Sequence, residues 1–234
     1  MNSVQLPSHI GIILDGNRRF AVRRGEESAK GHEYGSKVLH ETLNYLYDKG
    51  IKQVTLYVFS TENFNRAQKE KNLIMKLFNR EFDKWFSKNE TDKKKIRVNF
   101  IGNLKLFSEE LQNKCRNIMD RTKDNRFFTI NLAFGYGGRE EIIHATKEIS
   151  KDVLAGKLKT DEINEEIFNR YLYLDCEPDL IIRTGGRTRT SNFLPWQSAY
   201  SEWFFEDIMW PEMRSNDFDR IFCEFSERKR TFGK

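Results

Sequence analysis

The chain reads as an α/β protein with a mostly parallel central sheet of about six strands covered by helices. Three observations carry that reading. Short β-branched or aromatic runs alternate with longer stretches whose apolar residues recur at helical spacing. Two of these runs, residues 10–14 and 180–183, stop abruptly at polar loops containing glycine and arginine. No Pro/Ser/Gly-rich linker divides the 234 residues, so residues 1–234 are expected to form a single domain.

Residues 10–14 are the first predicted strand. Leu39, Leu43, Leu46 and Tyr47 then share one helical face, and Gly50 suits the end of that helix. Residues 53–59 read as a second buried strand, ending at Ser60-Thr61-Glu62-Asn63. A long amphipathic helix follows, with Ile74, Leu77, Phe78, Phe82, Trp85 and Phe86 on one side. Residues 96–101 form a third strand, and a helix bearing Leu111, Cys115, Ile118 and Met119 leads to a fourth at 127–134. Gly135-Tyr136-Gly137-Gly138 is expected to be a tight strand-to-helix turn. Ile142, Ala145, Ile149 and Val153 give the next helix its buried face, and Gly156 closes it. A short helix near Ile167 and Tyr171 precedes the strand at 180–183, residues 203–205 offer a sixth, and a charged helix spans about 217–230. In such sheets ligands bind outside the carboxyl ends of the strands, so Asp15, Ser60, Gly135 and Arg183 should share one edge.

Composition narrows the function less. The 40 Lys+Arg against 35 Asp+Glu leave a formal net charge of +5, which suits phosphorylated ligands, nucleic acid or an anionic membrane alike. Cys115, Cys176 and Cys223 lack metal-ligand spacing, and an odd count with no signal peptide points to a reducing cytoplasm. Cys115, on an apolar helical face, is expected to be buried. No apolar run approaches the roughly 20 residues that span a bilayer, so the protein is expected to be cytoplasmic and at most peripheral to a membrane. Walker A, GxGxxG and Gly-x-Ser-x-Gly patterns are absent, as is any Asp-Asp pair, which weakens nucleotide, serine-hydrolase and Asp-rich metal readings.

Three loops carry chemistry. In Asp15-Gly16-Asn17-Arg18-Arg19, guanidinium forks and open backbone suit a diphosphate, and the lone carboxylate suits Mg²⁺. The competing reading is an ordinary Asp-Gly turn with exposed arginines. Arg183-Thr-Gly-Gly-Arg187-Thr-Arg189-Thr190-Ser191 alternates arginine with hydroxyl and glycine, as a phosphate clamp would. It lacks the interleaved aromatics of a nucleic-acid surface, and no nucleic-acid partner is expected. Ser60-Thr61-Glu62-Asn63-Phe64-Asn65-Arg66 could orient a substrate or simply cap a helix. His32, in Gly31-His32 at a helix start, could donate to a bound phosphate, whereas His40 and His144 look structural.

In order and spacing, several motifs together resemble the cis-prenyltransferases, the undecaprenyl diphosphate synthase-like enzymes. They are Asp15-Gly-Asn-Arg-Arg, Gly31-His32, Tyr57-Val-Phe-Ser60-Thr-Glu-Asn-Phe64-Asn-Arg66, Asn131-Leu-Ala-Phe-Gly-Tyr136-Gly-Gly-Arg139, Arg183-Thr-Gly-Gly and Ser191-Asn-Phe-Leu-Pro-Trp-Gln-Ser-Ala-Tyr200-Ser-Glu202. The resemblance runs over residues 9–233 and is closest to the archaeal and eukaryotic branch. It implies condensation of isopentenyl diphosphate with an allylic prenyl diphosphate (geranylgeranyl, farnesyl or dimethylallyl) to a Z,E-mixed polyprenyl diphosphate for a glycosyl carrier lipid. By resemblance, Asp15 and Glu202 bind Mg²⁺, and Asp15 assists diphosphate departure. Gly16, Asn17, Arg18, Arg19 and Phe20 hold the allylic diphosphate with His32 nearby. Arg183, Arg189, Thr190 and Ser191 hold isopentenyl diphosphate. Asn63 stands near the proton-loss step with Ser60, Thr61 and Glu62, while Phe64 and Arg66 shape the site. The aromatic helix from Ile74 to Phe86 walls an apolar tunnel, and Phe128 and Phe134 shorten it, implying undecaprenyl length or less. The resemblance also implies a homodimer that meets the membrane surface transiently to release product.

Three positions depart from the family pattern. Ser28 stands where an arginine is usual, with Lys30 a partial substitute; Thr188 replaces a histidine; and Thr231-Phe232-Gly233 lacks the usual arginine, with Arg230 one place early. Losing guanidinium forks weakens bidentate phosphate recognition. An altered acceptor, or a non-catalytic regulatory subunit of the same fold, is therefore the alternative reading.

Overall fold

The computed structural model describes residues 5–86 and 88–228. Six strands form its centre: β1 (His9–Ile13), β2 (Gln53–Ser60), β3 (Ile96–Ile101), β4 (Phe128–Tyr136), β5 (Leu180–Arg183) and β6 (Glu202–Phe205). They lie in the order β3-β4-β2-β1-β5-β6, and every pair is parallel. Eight helices accompany them: α1 (Asn17–Arg23), α2 (Gly31–Asp48), α3 (Gln68–Trp85), α4 (Lys88–Lys93), α5 (Glu109–Thr122), α6 (Gly138–Leu154), α7 (Glu165–Tyr171) and α8 (Ser215–Glu227).

Period-two alternation divides the strands between two cores. On one face Ile10, Ile12, Val54, Leu56, Ile130, Leu132, Leu180 and Ile182 meet Leu39, Leu43 and Leu46 of α2, Ile74 and Phe82 of α3, and Phe218, Ile221, Phe222 and Phe225 of α8. The other core is smaller; there Ile13, Ala133, Tyr136 and Ile181 pack on Phe193 and Leu194. Leu180, Ile181 and Ile182 are wholly buried. At about 1.5–3 kcal/mol per buried side chain, that is enough to fix a four-residue strand.

β3 and β5 occupy the residues expected from sequence, and Cys115 is buried in the larger core. Three expectations fail. Gly135 and Tyr136 are not a turn but the last residues of β4. The β2–β4 register shifts on either side of Phe59, and Gly135 absorbs the irregularity at φ 64°. Tyr136 is then buried, its hydroxyl donating to Glu141 at 2.5 Å. Residues 17–20 are not a loop either, because α1 begins at Asn17. Gly16 makes this possible: its φ is 106°, and a Cβ there would stand 2.8 Å from Met209 Cβ. The last helix ends at Glu227 rather than near 230. The departures at Arg230 and residues 231–233 lie outside the described residues, as does the side chain of Trp85.

The sheet's topology places the site. From β1 the chain runs to β2 on one side, and β5 later returns on the other. The crevice between the carboxyl ends of β1 and β5 is such a switch point, where open α/β sheets bind ligands. Ile13 is in register with both Tyr57 and Arg183, so the residues after all three strands emerge together.

Candidate active site

Asp15 stands just past the end of β1 at the centre of a charge cluster. Its Oδ1 accepts from the Gly16 N–H at 2.6 Å and from Arg19 Nη2 at 3.1 Å, and its Oδ2 accepts from Arg183 Nη2 at 3.0 Å. Arg183 is 3% exposed. Its Nη1 donates to Ser191 Oγ at 2.6 Å and to the Arg189 carbonyl, which ties the 189–191 loop to Asp15. Its Nε is buried with no hydrogen-bond partner.

A second cluster gathers at the start of α2 and α3. Arg66 Nη1 pairs with Glu70 at 3.2 Å, Arg18 Nε approaches the same oxygen at 3.5 Å, and His32 Nε2 lies 4.0 Å from it. Burial, then the charges of Arg66 and Arg18, pull His32 down to about 4. Its ring is therefore neutral near pH 7, able to donate one hydrogen bond, and its Nε2 is buried without a partner. Burial also lowers Arg66. Glu70 was not singled out from sequence; its one signal was the i,i+4 spacing from Arg66. Close packing holds this corner together, since a Cβ on Gly31 would lie 1.9 Å from the Asn17 carbonyl oxygen.

The 60s and 190s loops complete the rim. Ser60 and Asn63 form a capping box over a 3-10 turn at Thr61–Asn65, and the Ser60 N–H donates to Asn63 Oδ1 at 3.1 Å. That bond fixes the orientation of the Asn63 amide. Asn192 joins three segments. Its Nδ2 donates to Glu62 at 3.1 Å, its Oδ1 accepts from the Arg139 N–H at 2.9 Å, and its carbonyl accepts from the Gly138 N–H at 2.9 Å. Ser191, Asn192 and Leu194 all take positive φ to make that loop. Asn192 lies inside a motif read from the sequence, but its joining role depends on tertiary contacts.

These groups open onto a cavity of about 660 Å³. Asp15, Asn17, His32, Ser60, Glu62, Asn63, Arg66, Arg183, Arg189 and Ser191 line its polar end, and Leu39, Phe59, Ile74, Leu77, Phe78, Phe82 and Phe86, with Ser36 and Glu81 among them, line most of the rest. A neighbouring hollow of about 640 Å³ shares Asp15, Asn17, His32 and Arg66 and adds Gly16, Arg18, Arg19 and Ser28. Ser28 therefore faces the proposed phosphate space, so an arginine at its position would have a reason to be there. Lys30 is not brought into that hollow; it pairs with Glu26 at 3.5 Å.

Several expected site residues stand elsewhere. Phe20 packs edge-on against Tyr34 with centroids 5.3 Å apart and lines neither space. Phe64 lies against Phe59 and Phe107, propping the loop from behind. Thr61 and Thr190 line neither space, and Thr188 and Thr190 are exposed. Phe128 packs on Tyr47, and Phe134 sits behind Phe78 and Phe82. Neither lines the cavity, so neither shortens it. Glu202 is in register with Leu180 and pairs with Arg228 at 2.7 Å. At about 3.3 Å per residue it lies roughly 10 Å down the sheet from the level of Arg183, too far to share an ion with Asp15 within one chain.

Among the described residues no group of three or more His, Cys, Asp or Glu could hold a metal. Asp15 offers one carboxylate, 29% exposed, beside the hollow lined by Arg18 and Arg19. Mg²⁺ is commonly bound by one or two carboxylates plus substrate phosphates and water, so this donor set fits an ion arriving with a diphosphate. No helix among the described residues is long and apolar enough to cross a membrane.

Comparison with known proteins identifies a family. Residues 13–233 match the Prenyltransf family model, described as "Putative undecaprenyl diphosphate synthase". A tritrans,polycis-undecaprenyl-diphosphate synthase (geranylgeranyl-diphosphate specific) of Picrophilus torridus is 46% identical over 231 residues, 98% of this chain and 91% of the relative. The protein of the same name from Pyrococcus horikoshii is 43% identical over 231 residues, 98% and 88% of the two chains. Among solved structures, lavandulyl diphosphate synthase from Lavandula x intermedia, in complex with dimethylallyl diphosphate, superposes with a TM-score of 0.91 at 30% identity, covering 98% of this chain and 99% of the other. A Campylobacter jejuni protein described as a probable undecaprenyl diphosphate synthase gives a TM-score of 0.81 at 33% identity, covering 100% of both chains.

Proposed function

The chain belongs to the undecaprenyl diphosphate synthase family of prenyltransferases, and from that premise we propose that it is a Mg²⁺-dependent cis-prenyltransferase condensing isopentenyl diphosphate with geranylgeranyl diphosphate. The product is a Z,E-mixed polyprenyl diphosphate of undecaprenyl length or shorter, serving as precursor of a glycosyl carrier lipid. One observation supports this above the others: a carboxylate held between guanidinium groups stands at the mouth of a cavity whose depth is hydrocarbon. The names of the archaeal relatives favour the geranylgeranyl primer.

In this reading Arg19, Arg18 and Asn17 bind the allylic diphosphate in the hollow beside α1, and neutral His32 donates to one of its oxygens. Arg183 and Arg189 with Ser191 bind isopentenyl diphosphate. Asp15, the single carboxylate shared by both spaces, would hold Mg²⁺ together with the substrate phosphates. Such an ion would supply positive charge toward the diphosphate, and Arg18 and Arg19 stabilise the negative charge that develops there as the C1–O bond breaks. The isopentenyl double bond attacks C1, and a C2 proton is lost beside Asn63 and Ser60. The apolar wall takes up the lengthening chain and excludes water from the allylic centre.

The test incubates purified protein with labelled isopentenyl diphosphate, Mg²⁺ and each of the geranylgeranyl, farnesyl and dimethylallyl primers. Incorporation greatest with geranylgeranyl diphosphate supports the reading; no incorporation with any primer refutes it. Ser28 in the phosphate hollow favours one second reading, an enzyme with another acceptor. Turnover that needs no isopentenyl diphosphate would identify it.

A further inference from the structure

Glu81 interrupts the hydrocarbon half of the cavity. Every other charged side chain on that wall belongs to the diphosphate end, whereas Glu81 lies on α3 among Leu77, Phe78 and Phe82, three helical turns beyond Glu70. It is 8% exposed, and its Oε1 accepts from Arg80 Nε at 3.0 Å. Ser36 of α2 lines the same stretch of wall. Glu81 and Ser36 also line a separate polar hollow of about 450 Å³, bordered by Lys37, His40, Arg80 and Lys84. At this level of the α2–α3 seam, Ser36 and Glu81 form a polar break in the apolar wall and connect it to the polar hollow outside.

Resting on the prenyltransferase reading, we propose that Glu81, with Ser36 beside it, sets the length of the product. The diphosphate end of the chain stays fixed between Asp15 and the arginines, so each added isoprene unit pushes the far end deeper. Units laid against Ile74, Leu77 and Phe78 bury apolar surface and gain dispersion contacts. A unit pressed on the Glu81 carboxylate strips water from a charged group and offers no polar partner in return. Growth therefore stops being favourable where the chain meets this pair. Phe128 and Phe134, buried behind the wall, do not perform that role.

The test compares wild type with Glu81→Leu and Glu81→Gln, supplying geranylgeranyl diphosphate and excess labelled isopentenyl diphosphate, and reads the ratio among product lengths by mass spectrometry. Leucine should shift the distribution upward by one isoprene unit or more, and glutamine should shift it less in the same direction. Ser36→Leu, which extends the apolar wall from the other helix, should also lengthen the product and supplies the answer should the Glu81 variants fail to fold. Folded variants giving wild-type or shorter products overturn the proposal. A wild-type protein that makes no prenyl product from any primer would instead overturn the functional reading, so the two failures are distinct.

Discussion

Asp15 and Arg183 hold one another across the sheet edge, so removing either leaves a charge behind. Arg183 is the buried partner, at 3% exposure against 29% for the Asp15 side chain. Asp15→Ala should therefore cost stability toward the low end of a broken buried pair, about 3 kcal/mol, measurable by urea unfolding. Turnover should fall by about 100-fold or more, the scale of losing one electrostatic partner of the transition state. Asp15→Asn keeps an acceptor for Arg183 and should recover part of the stability but little of the rate. Histidine protonation makes a separate prediction. Burial lowers both His9 and His32 to about 4 from 6.5. The unfolded chain then binds more protons than the folded one between pH 6.5 and 4. Stability from these groups is complete above pH 6.5 and declines as pH falls to about 4, by up to about 3 kcal/mol per histidine. His9→Gln, which removes a ring bonded to Thr55 Oγ1 at 2.7 Å, should flatten that decline in a pH series of denaturation midpoints.

At the scale of elements, the sequence was most legible where periodicity is local. Residues 96–101 and 180–183 are β-branched runs bounded by polar residues, and they became β3 and β5 unchanged. The helix carrying Ile74, Leu77, Phe78, Phe82 and Phe86 displayed its apolar side, and those residues line the cavity. α1 escaped notice because Asp-Gly reads as a turn locally. What makes it a helix start is the seat of Gly16 against Met209, almost two hundred residues away. Glu70 and Asn192 escaped for a related reason: a charged residue on a helix and an asparagine in a loop are common, and their significance lies in partners from other segments. Glu202 stands away from Asp15 within one chain, a separation set by strand register that motif order does not carry. The α1–α2 junction yields a prediction at this scale. Gly31→Ala would force its Cβ into the Asn17 carbonyl, 1.9 Å away, so α1 must move and carry Arg18 and Arg19 with it. KM for the allylic diphosphate should rise roughly ten-fold, equivalent to about 1.4 kcal/mol of binding, with a lowered melting temperature. An unchanged KM would show that α1 does not position those arginines.

On the scale of the whole molecule, β6 is an edge strand with apolar side chains outside it. Tyr200 is 69% exposed and Phe205 39%, and Trp203 stacks on Phe205 with centroids 5.6 Å apart. Exposed apolar edges of this kind commonly mark association surfaces. The protein should therefore sediment as a homodimer at micromolar concentration, and Phe205→Glu should shift it toward monomer. The net charge of +5 is modest. Binding to random RNA should be weak and should vanish as salt rises, since only phosphate-backbone attraction would support it.

Every role proposed for these residues requires one diphosphate pocket built from both ends of the chain. A crystal structure with Mg²⁺ and an unreactive allylic thiodiphosphate tests this directly. The phosphates should lie beside Asp15 with Arg18 and Arg19, and the prenyl tail should run along Ile74, Phe78 and Phe82. Phosphates bound away from Asp15, or a tail outside that cavity, would contradict it.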